Sequence, residues 1–161
     1  MSALVPGETA LPRRVRQAGT PPPPERHPPS LAGNRSLPYA AIDTELAELR
    51  LQIPGVTGCV LGGVDGLLIT HTMPDGSSPD DLAALAASTF GLGRQVGLSL
   101  GQGPFRQSTV RNATGYLSVY AVNGQALLAV VGEDTVNVAR LHLHAPGVAE
   151  RLAALLAAGT A

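Results

Sequence analysis

The chain has 161 residues, enough for one core of about 100–120 residues with an appendage. It is 44% hydrophobic but only 3% aromatic, without Trp, and its formal net charge is −1. Such a composition lacks the basic stripe and stacking rings of a nucleic-acid binder, and the single Cys59 excludes a disulfide framework within one chain.

Residues 1–38 hold nine of the fourteen prolines, including Pro21-Pro22-Pro23-Pro24 and Pro28-Pro29. With no apolar periodicity, this segment cannot offset its ordering entropy by burial and is expected to be a proline-rich, disordered arm. The first forty residues carry Arg13, Arg14, Arg16, Arg26 and Arg35 against Glu8 and Glu25, a balance of +3, and the remainder carries −4. All eleven Lys-or-Arg positions are Arg, a bias expected of a GC-rich, bacterial genome. The first 30 residues contain no apolar signal region, and the longest apolar run, Ala126 to Val131, is far below the roughly 20 residues of a membrane span. A cytoplasmic protein without membrane insertion is the expectation.

One domain is expected over residues 39–158. Ile42, Leu46, Leu49 and Ile53 recur at helical offsets, so a first helix spans about 39–53 and stops at Pro54. Strands follow at about 56–62 and 66–72, joined by the Asp65-Gly66 turn. Cys59 lies inside the first strand as a small buried hydrophobe. Ser78-Pro79-Asp80-Asp81 combines an N-cap, a proline at the first helical position and two first-turn acids, so a second helix runs from there to about Leu100. Leu82, Leu85, Thr89, Leu92, Val96 and Leu100 form its expected core stripe. Ala83, Ala84, Ala86, Ala87, Ser88, Gly91, Gly93 and Gly97 leave a small-residue face for a partner.

Three β segments follow at about 105–111, 115–122 and 125–131. Asn112-Ala113-Thr114-Gly115 closes the first pair and Asn123-Gly124 the second. The segment from Phe105 to Arg111 is mostly polar and reads as an edge strand; that from Ala126 to Val131 is wholly apolar and reads as a central one. A last helical region carries Val138, Leu141, Ala145, Val148, Leu152 and Leu155, and Pro146-Gly147 should kink or split it.

Catalytic motifs do not hold up. Gly97-Leu98-Ser99-Leu100-Gly101 matches a hydrolase pattern, but that elbow joins a strand to a following helix and here the order is reversed. Gly91-Leu92-Gly93-Arg94 lacks the strand and third glycine of a dinucleotide site. His142 and His144 point about 200° apart on a helix, with no acid or Cys nearby to complete a metal site. No catalytic, cofactor-binding or metal residue is therefore assigned.

The order helix, two strands, helix, three strands, helix resembles the roadblock family, the dynein light-chain-like domain whose bacterial members partner small Ras-like GTPases. The resemblance covers about residues 42–143. It rests on Ile53-Pro54-Gly55-Val56, Asp65-Gly66-Leu67, Asp81-Leu82-Ala83-Ala84-Leu85-Ala86, Gly115-Tyr116-Leu117 and Ala126-Leu127-Leu128-Ala129-Val130. The sequence departs from the family pattern at Asn137-Val138-Ala139-Arg140-Leu141 and at the added His142-Leu143-His144-Ala145-Pro146.

The resemblance implies an α+β fold, α-β-β-α-β-β-β-α, with a five-stranded antiparallel sheet flanked by helices on both faces. It also implies a homodimer built from paired third strands and adjacent second helices, which would place Ala83, Ala87, Gly91, Arg94, Phe105, Gln107, Thr109 and Arg111 at the interface. The function implied is that of a non-enzymatic partner of a small Ras-like GTPase, binding its switch surface or assembling a membrane-associated sensor complex. The alternatives are a structural adaptor and a small-molecule sensor module.

Overall fold

The computed structural model describes residues 36–160, so the arm read over residues 1–38 lies, up to Arg35, outside the described residues. The elements are α1 (Tyr39–Gln52), β1 (Val56–Gly63), β2 (Leu68–His71), α2 (Pro79–Leu100), β3 (Gln107–Asn112), β4 (Gly115–Ala121), β5 (Ala126–Glu133) and α3 (Val138–Thr160). The strands form one sheet in the order β2-β1-β5-β4-β3, every neighbouring pair antiparallel. This is the α+β order expected from the sequence.

The sheet separates two apolar clusters. Ile42, Leu46, Leu49 and Ile53 from the α1 segment and Leu141, Ala145, Val148 and Leu152 from α3 cover one face, meeting Cys59, Leu61, Tyr120, Leu128 and Val130. Ala83 and Ala86 of α2 cover the other face, meeting Val60, Val119, Leu127 and Ala129. Alternation with period two explains the split, since neighbouring residues of one strand project to opposite faces. The central strands β1 and β5 are buried on both sides, hence their continuous apolar runs. Each fully buried Leu of this core contributes on the order of 1.5–3 kcal/mol by leaving water.

Local chemistry sets the boundaries. Ile53, ahead of Pro54, takes an extended conformation with φ −116° and ψ 98°, as a residue before proline must. In the β1–β2 turn Gly66 has φ +85°, a conformation that favours glycine, and Asp65 Oδ1 accepts the Leu67 N–H at 3.1 Å. Asn123-Gly124 closes its hairpin differently from a two-residue turn. Neither residue has a positive φ; instead Asn123 Oδ1 accepts the N–H groups of Gln125 and Ala126, each at 2.8 Å. The side chain thus replaces the backbone strain of a primed turn.

Three expectations are corrected. Ser78 occupies the α2 N-cap but its hydroxyl makes no capping hydrogen bond; Pro79 and the acids Asp80 and Asp81 carry that helix start. Pro146 does not split the last helix, which is a single element through it. A proline costs a helix interior about 3 kcal/mol, and here Ala145, Val148, Ala149 and Leu152, all buried, hold both sides of it in the core.

The third correction concerns which face of α2 is core. Its buried residues are Ala83, Ala86 and Gly97, whereas Leu85, Leu92, Val96 and Leu100, expected in the core, are exposed. The reason is distance. A Cβ on Gly97 would stand 2.5 Å from the Gly103 carbonyl oxygen, and one on Gly93 would meet the Phe105 ring. At Gly93 and Gly97 the helix lies so close to the following loop that only small residues fit, while Leu82 and Phe90 pack partly buried against the sheet-side cluster.

Gly97→Ala should therefore destabilise the domain by about 1–3 kcal/mol despite the better helix propensity of alanine. At Gly91 an added Cβ meets nothing within 4 Å, so Gly91→Ala should stabilise by up to about 1 kcal/mol. Urea unfolding midpoints of the two variants should move in opposite directions.

Burial also fixes a pH dependence. Desolvation pushes the Cys59 thiol from 9.0 up to about 12, outweighing the lowering influence of the Thr72 hydroxyl and Arg50. Desolvation likewise raises the Tyr120 phenol from 10.0 to about 12, against a smaller lowering by Ser118. The folded chain holds both protons where the unfolded chain releases them, so this stability is full below pH 9.0 and is lost as pH climbs toward 12. Denaturant titrations at pH 8 and about pH 10.5 should show the loss, and Cys59→Ala should reduce its steepness.

Candidate interaction surface

The outward side of α2 and the free edge of β3 adjoin. Pairing on one side only, with β4, leaves β3 with a row of unpaired backbone groups. Beside it, Leu85, Leu92 and Val96 are 55%, 69% and 44% exposed. Their offsets of seven and four put them on one helical stripe, with Thr89 between them. A groove of about 480 Å³ runs between helix and strand, lined among others by Thr89, Leu92, Val96, Phe105, Ser108 and Val110. Val110 is itself an exposed apolar residue on the edge strand.

The residues read from sequence as the interface divide into four groups. Ala83, only 1% exposed, belongs to the chain's own core with Val60 and Ala129 and is removed from the surface. Ala87 is half-buried, while Gly91 and Arg94 are exposed on the flank of α2 away from the Leu92 stripe, roughly 140° around the helix. Phe105 is half-buried, its ring edge-on to Phe90 at 5.4 Å and 88°. Gln107, Thr109 and Arg111 do lie on β3. Of these, Arg111 stacks its guanidinium over Tyr116 at 5.6 Å, and Thr109 turns inward.

That inward turn reveals a polar cluster that sequence reading missed. Thr109 Oγ1 lies 2.8 Å from the buried Ser118 Oγ and 3.3 Å from His142 Nε2, while His142 Nδ1 lies 2.8 Å from Tyr120 Oη. One imidazole thus joins α3 to the edge strand and its neighbour, satisfying hydroxyls that would otherwise be stranded beside the core. No carboxylate enters the cluster, and the contacts are those of a structural clip. The signal was weak because it needs the register Thr109 opposite Ser118, which no spacing in the chain reveals.

Other candidates stay apart. Ser99 is exposed near the end of α2 and its hydroxyl accepts from Gln95 Nε2 at 3.3 Å. Among the described residues, no group of three or more His, Cys, Asp or Glu is placed to hold a metal, and no helix is long and apolar enough to cross a membrane.

Comparison with known proteins identifies this architecture. No curated protein matches the chain. Among solved structures, a Roadblock/LC7 domain from Streptomyces avermitilis is 29% identical, covers 71% of this chain and 96% of its own, and superposes with a TM-score of 0.67. An MglB in a tetrameric arrangement is 24% identical over 80% of this chain and 95% of its own, with a TM-score of 0.70. The gliding protein MglB of Thermus thermophilus is 22% identical over 78% and 93%, with a TM-score of 0.66. These last two share the fold with this chain. The Roadblock/LC7 domain model matches residues 42–132, more than half of the sequence, and the chain belongs to the Roadblock/LC7 family.

Proposed function

We propose that this protein is a non-enzymatic regulatory partner of a small Ras-like GTPase, working as a homodimeric docking platform. The observation that carries the dimer is the juxtaposition of the free outer edge of β3 with the exposed Leu85, Leu92 and Val96 stripe. A second copy related by a two-fold axis would satisfy the backbone of β3 with its own β3 and cover the apolar stripe with its own α2. The interface so formed uses Leu85, Leu92, Val96 and Val110, with Gln107 and Arg111 along the edge. It omits Ala83, and it places Ala87, Gly91 and Arg94 outside the contact.

Family membership supports the GTPase as partner, since the roadblock resemblance implies bacterial members of this type. The described residues offer no strand-to-helix nucleophile elbow and no glycine-rich loop between a strand and a helix to cradle phosphates. A regulator of this kind acts by contact, biasing the nucleotide state of its partner without hydrolysing nucleotide itself.

Leu92→Arg or Val96→Asp should shift the protein from dimer to monomer at micromolar concentration in light scattering. Gly91→Arg, on the other flank, should leave it dimeric. The function itself is checked with a small Ras-like GTPase from the same genome, loaded with GDP or with a non-hydrolysable GTP analogue. Binding in one state, with altered hydrolysis or exchange, is the expected result. Binding in neither state, with both proteins folded, would transfer the assignment to a structural adaptor.

A further inference from the structure

The sequence contains one Asn-Gly pair, Asn123-Gly124, at the tip of the β4–β5 hairpin, where Asn123, Gly124 and Gln125 are all exposed. The Asn123 side chain is held in an arrangement that does more than close the turn. Its Oδ1 accepts two backbone N–H groups, from Gln125 and Ala126, each at 2.8 Å. Two donors converging on one carbonyl oxygen draw electron density from the attached carbon and are placed to hold negative charge that develops on that oxygen. The carbon made electrophilic here is Asn123 Cγ.

The other two groups that a reaction at Cγ needs are unbound. Among the described residues the Gly124 N–H donates to no acceptor, and the Asn123 Nδ2 amide makes no hydrogen bond. The nitrogen of the residue after an asparagine can close a succinimide ring on Cγ, and Gly124 has no side chain to block its approach. A Cβ at Gly124 would find nothing within 4 Å, so water also reaches the turn. The other asparagines of the described residues lack this combination. Asn112 precedes Ala113, and its side-chain oxygen accepts no hydrogen bond among the described residues. Asn137 Oδ1 accepts a single N–H, from Arg140 at 2.9 Å, and the β-branched Val138 follows it.

We propose that Asn123-Gly124 is a self-modification site at which the fold promotes loss of the side-chain amide. The Gly124 nitrogen gives its proton to hydroxide and bonds to Asn123 Cγ, and the charge collects on Oδ1 beneath the Gln125 and Ala126 N–H groups. The Cγ–Nδ2 bond then breaks, Nδ2 takes a proton from water and leaves as ammonia, and a succinimide remains. Water opens the ring at either carbonyl. Opening at Cγ gives aspartate; opening at the backbone carbonyl carbon of Asn123 leaves the chain joined through the side chain, as isoaspartate. The net change consumes water and releases ammonia without oxidation, and each event adds a negative charge to a chain of formal charge −1. The aspartate product keeps both N–H partners on a charged acceptor, so the hairpin survives. The isoaspartate product adds a methylene to the backbone beside the Ala121–Leu127 pair and the Val64 N–H bond to the Gln125 carbonyl at 2.9 Å, and so loosens that junction.

The test follows the full chain by peptide mass spectrometry at mildly alkaline pH, both folded and in guanidinium chloride. The amide-to-acid mass gain should accumulate at Asn123 about tenfold or more faster in the folded chain than in the unfolded one, while Asn112 and Asn137 keep their amides. Ammonia and isoaspartate should appear in step with the gain. Gly124→Ala, whose Cβ fits the open turn but crowds the attacking nitrogen, should slow conversion by about tenfold with an unchanged dichroism spectrum. Should that variant lose its folded signal, the comparison of folded with unfolded wild type decides alone. Conversion at Asn123 no faster in the folded chain than in the unfolded one, or equally fast at Asn112, would overturn the proposal.

Discussion

The close approach of α2 to the sheet is the constraint from which the rest of the surface follows. Ala83 and Ala86 sit directly on Val60, Val119 and Ala129, and Gly97 admits the Gly103 carbonyl. At its closest approach the helix admits only small residues, Leu82 and Phe90 pack partly buried against the same cluster, and Leu85, Leu92 and Val96 point away from the domain. The same approach brings the loop back far enough for Phe105 to meet Phe90. One packing distance thereby creates both an outward apolar stripe and, at the loop after α2, an open hollow lined by Phe90, Pro104 and Phe105.

The opposite layer is built by different means. There α1 and α3 use full-sized aliphatic residues, an exposed ion pair between Arg151 and Glu45 at 2.8 Å, and the His142 clip. Exposed pairs of this kind contribute little, about 0–1 kcal/mol, so cohesion rests on the Leu46, Leu49, Leu141 and Leu152 core. The clip has another role. It connects the helical layer to β3, one of the two edge strands of the sheet, and so steadies an edge that otherwise depends on β4.

Much of the fold was legible because its signals are local. Pro54 ends α1, Pro79 opens α2, and the runs Cys59-Val60-Leu61 and Ala126-Leu127-Leu128 mark strands buried on both faces. The polar edge of β3 was also readable from Gln107, Ser108, Thr109 and Arg111. The faces of α2 were not, because the helix carries two stripes of apolar spacing, one large and one small. Hydrophobicity alone favours Leu85, Leu92 and Val96 for the interior. The deciding quantity is the gap between helix and sheet, set by residues more than twenty positions away and by the loop at Gly103. For the same reason Ala83 was read as surface, and the Thr109, Ser118, Tyr120 and His142 cluster, assembled from three elements, left no trace in spacing.

The interior position of Cys59 has a practical consequence. As the one cysteine in the chain, fully buried in β1 and with its thiol pushed up to about 12, it presents almost no thiolate to reagents near neutral pH. The native protein is in effect already a cysteine-free background for bioconjugation. A cysteine introduced on α2 or β3 would be the only reactive handle per protomer, so fluorophores, spin labels or crosslinkers could report distances across any assembly without first altering the core.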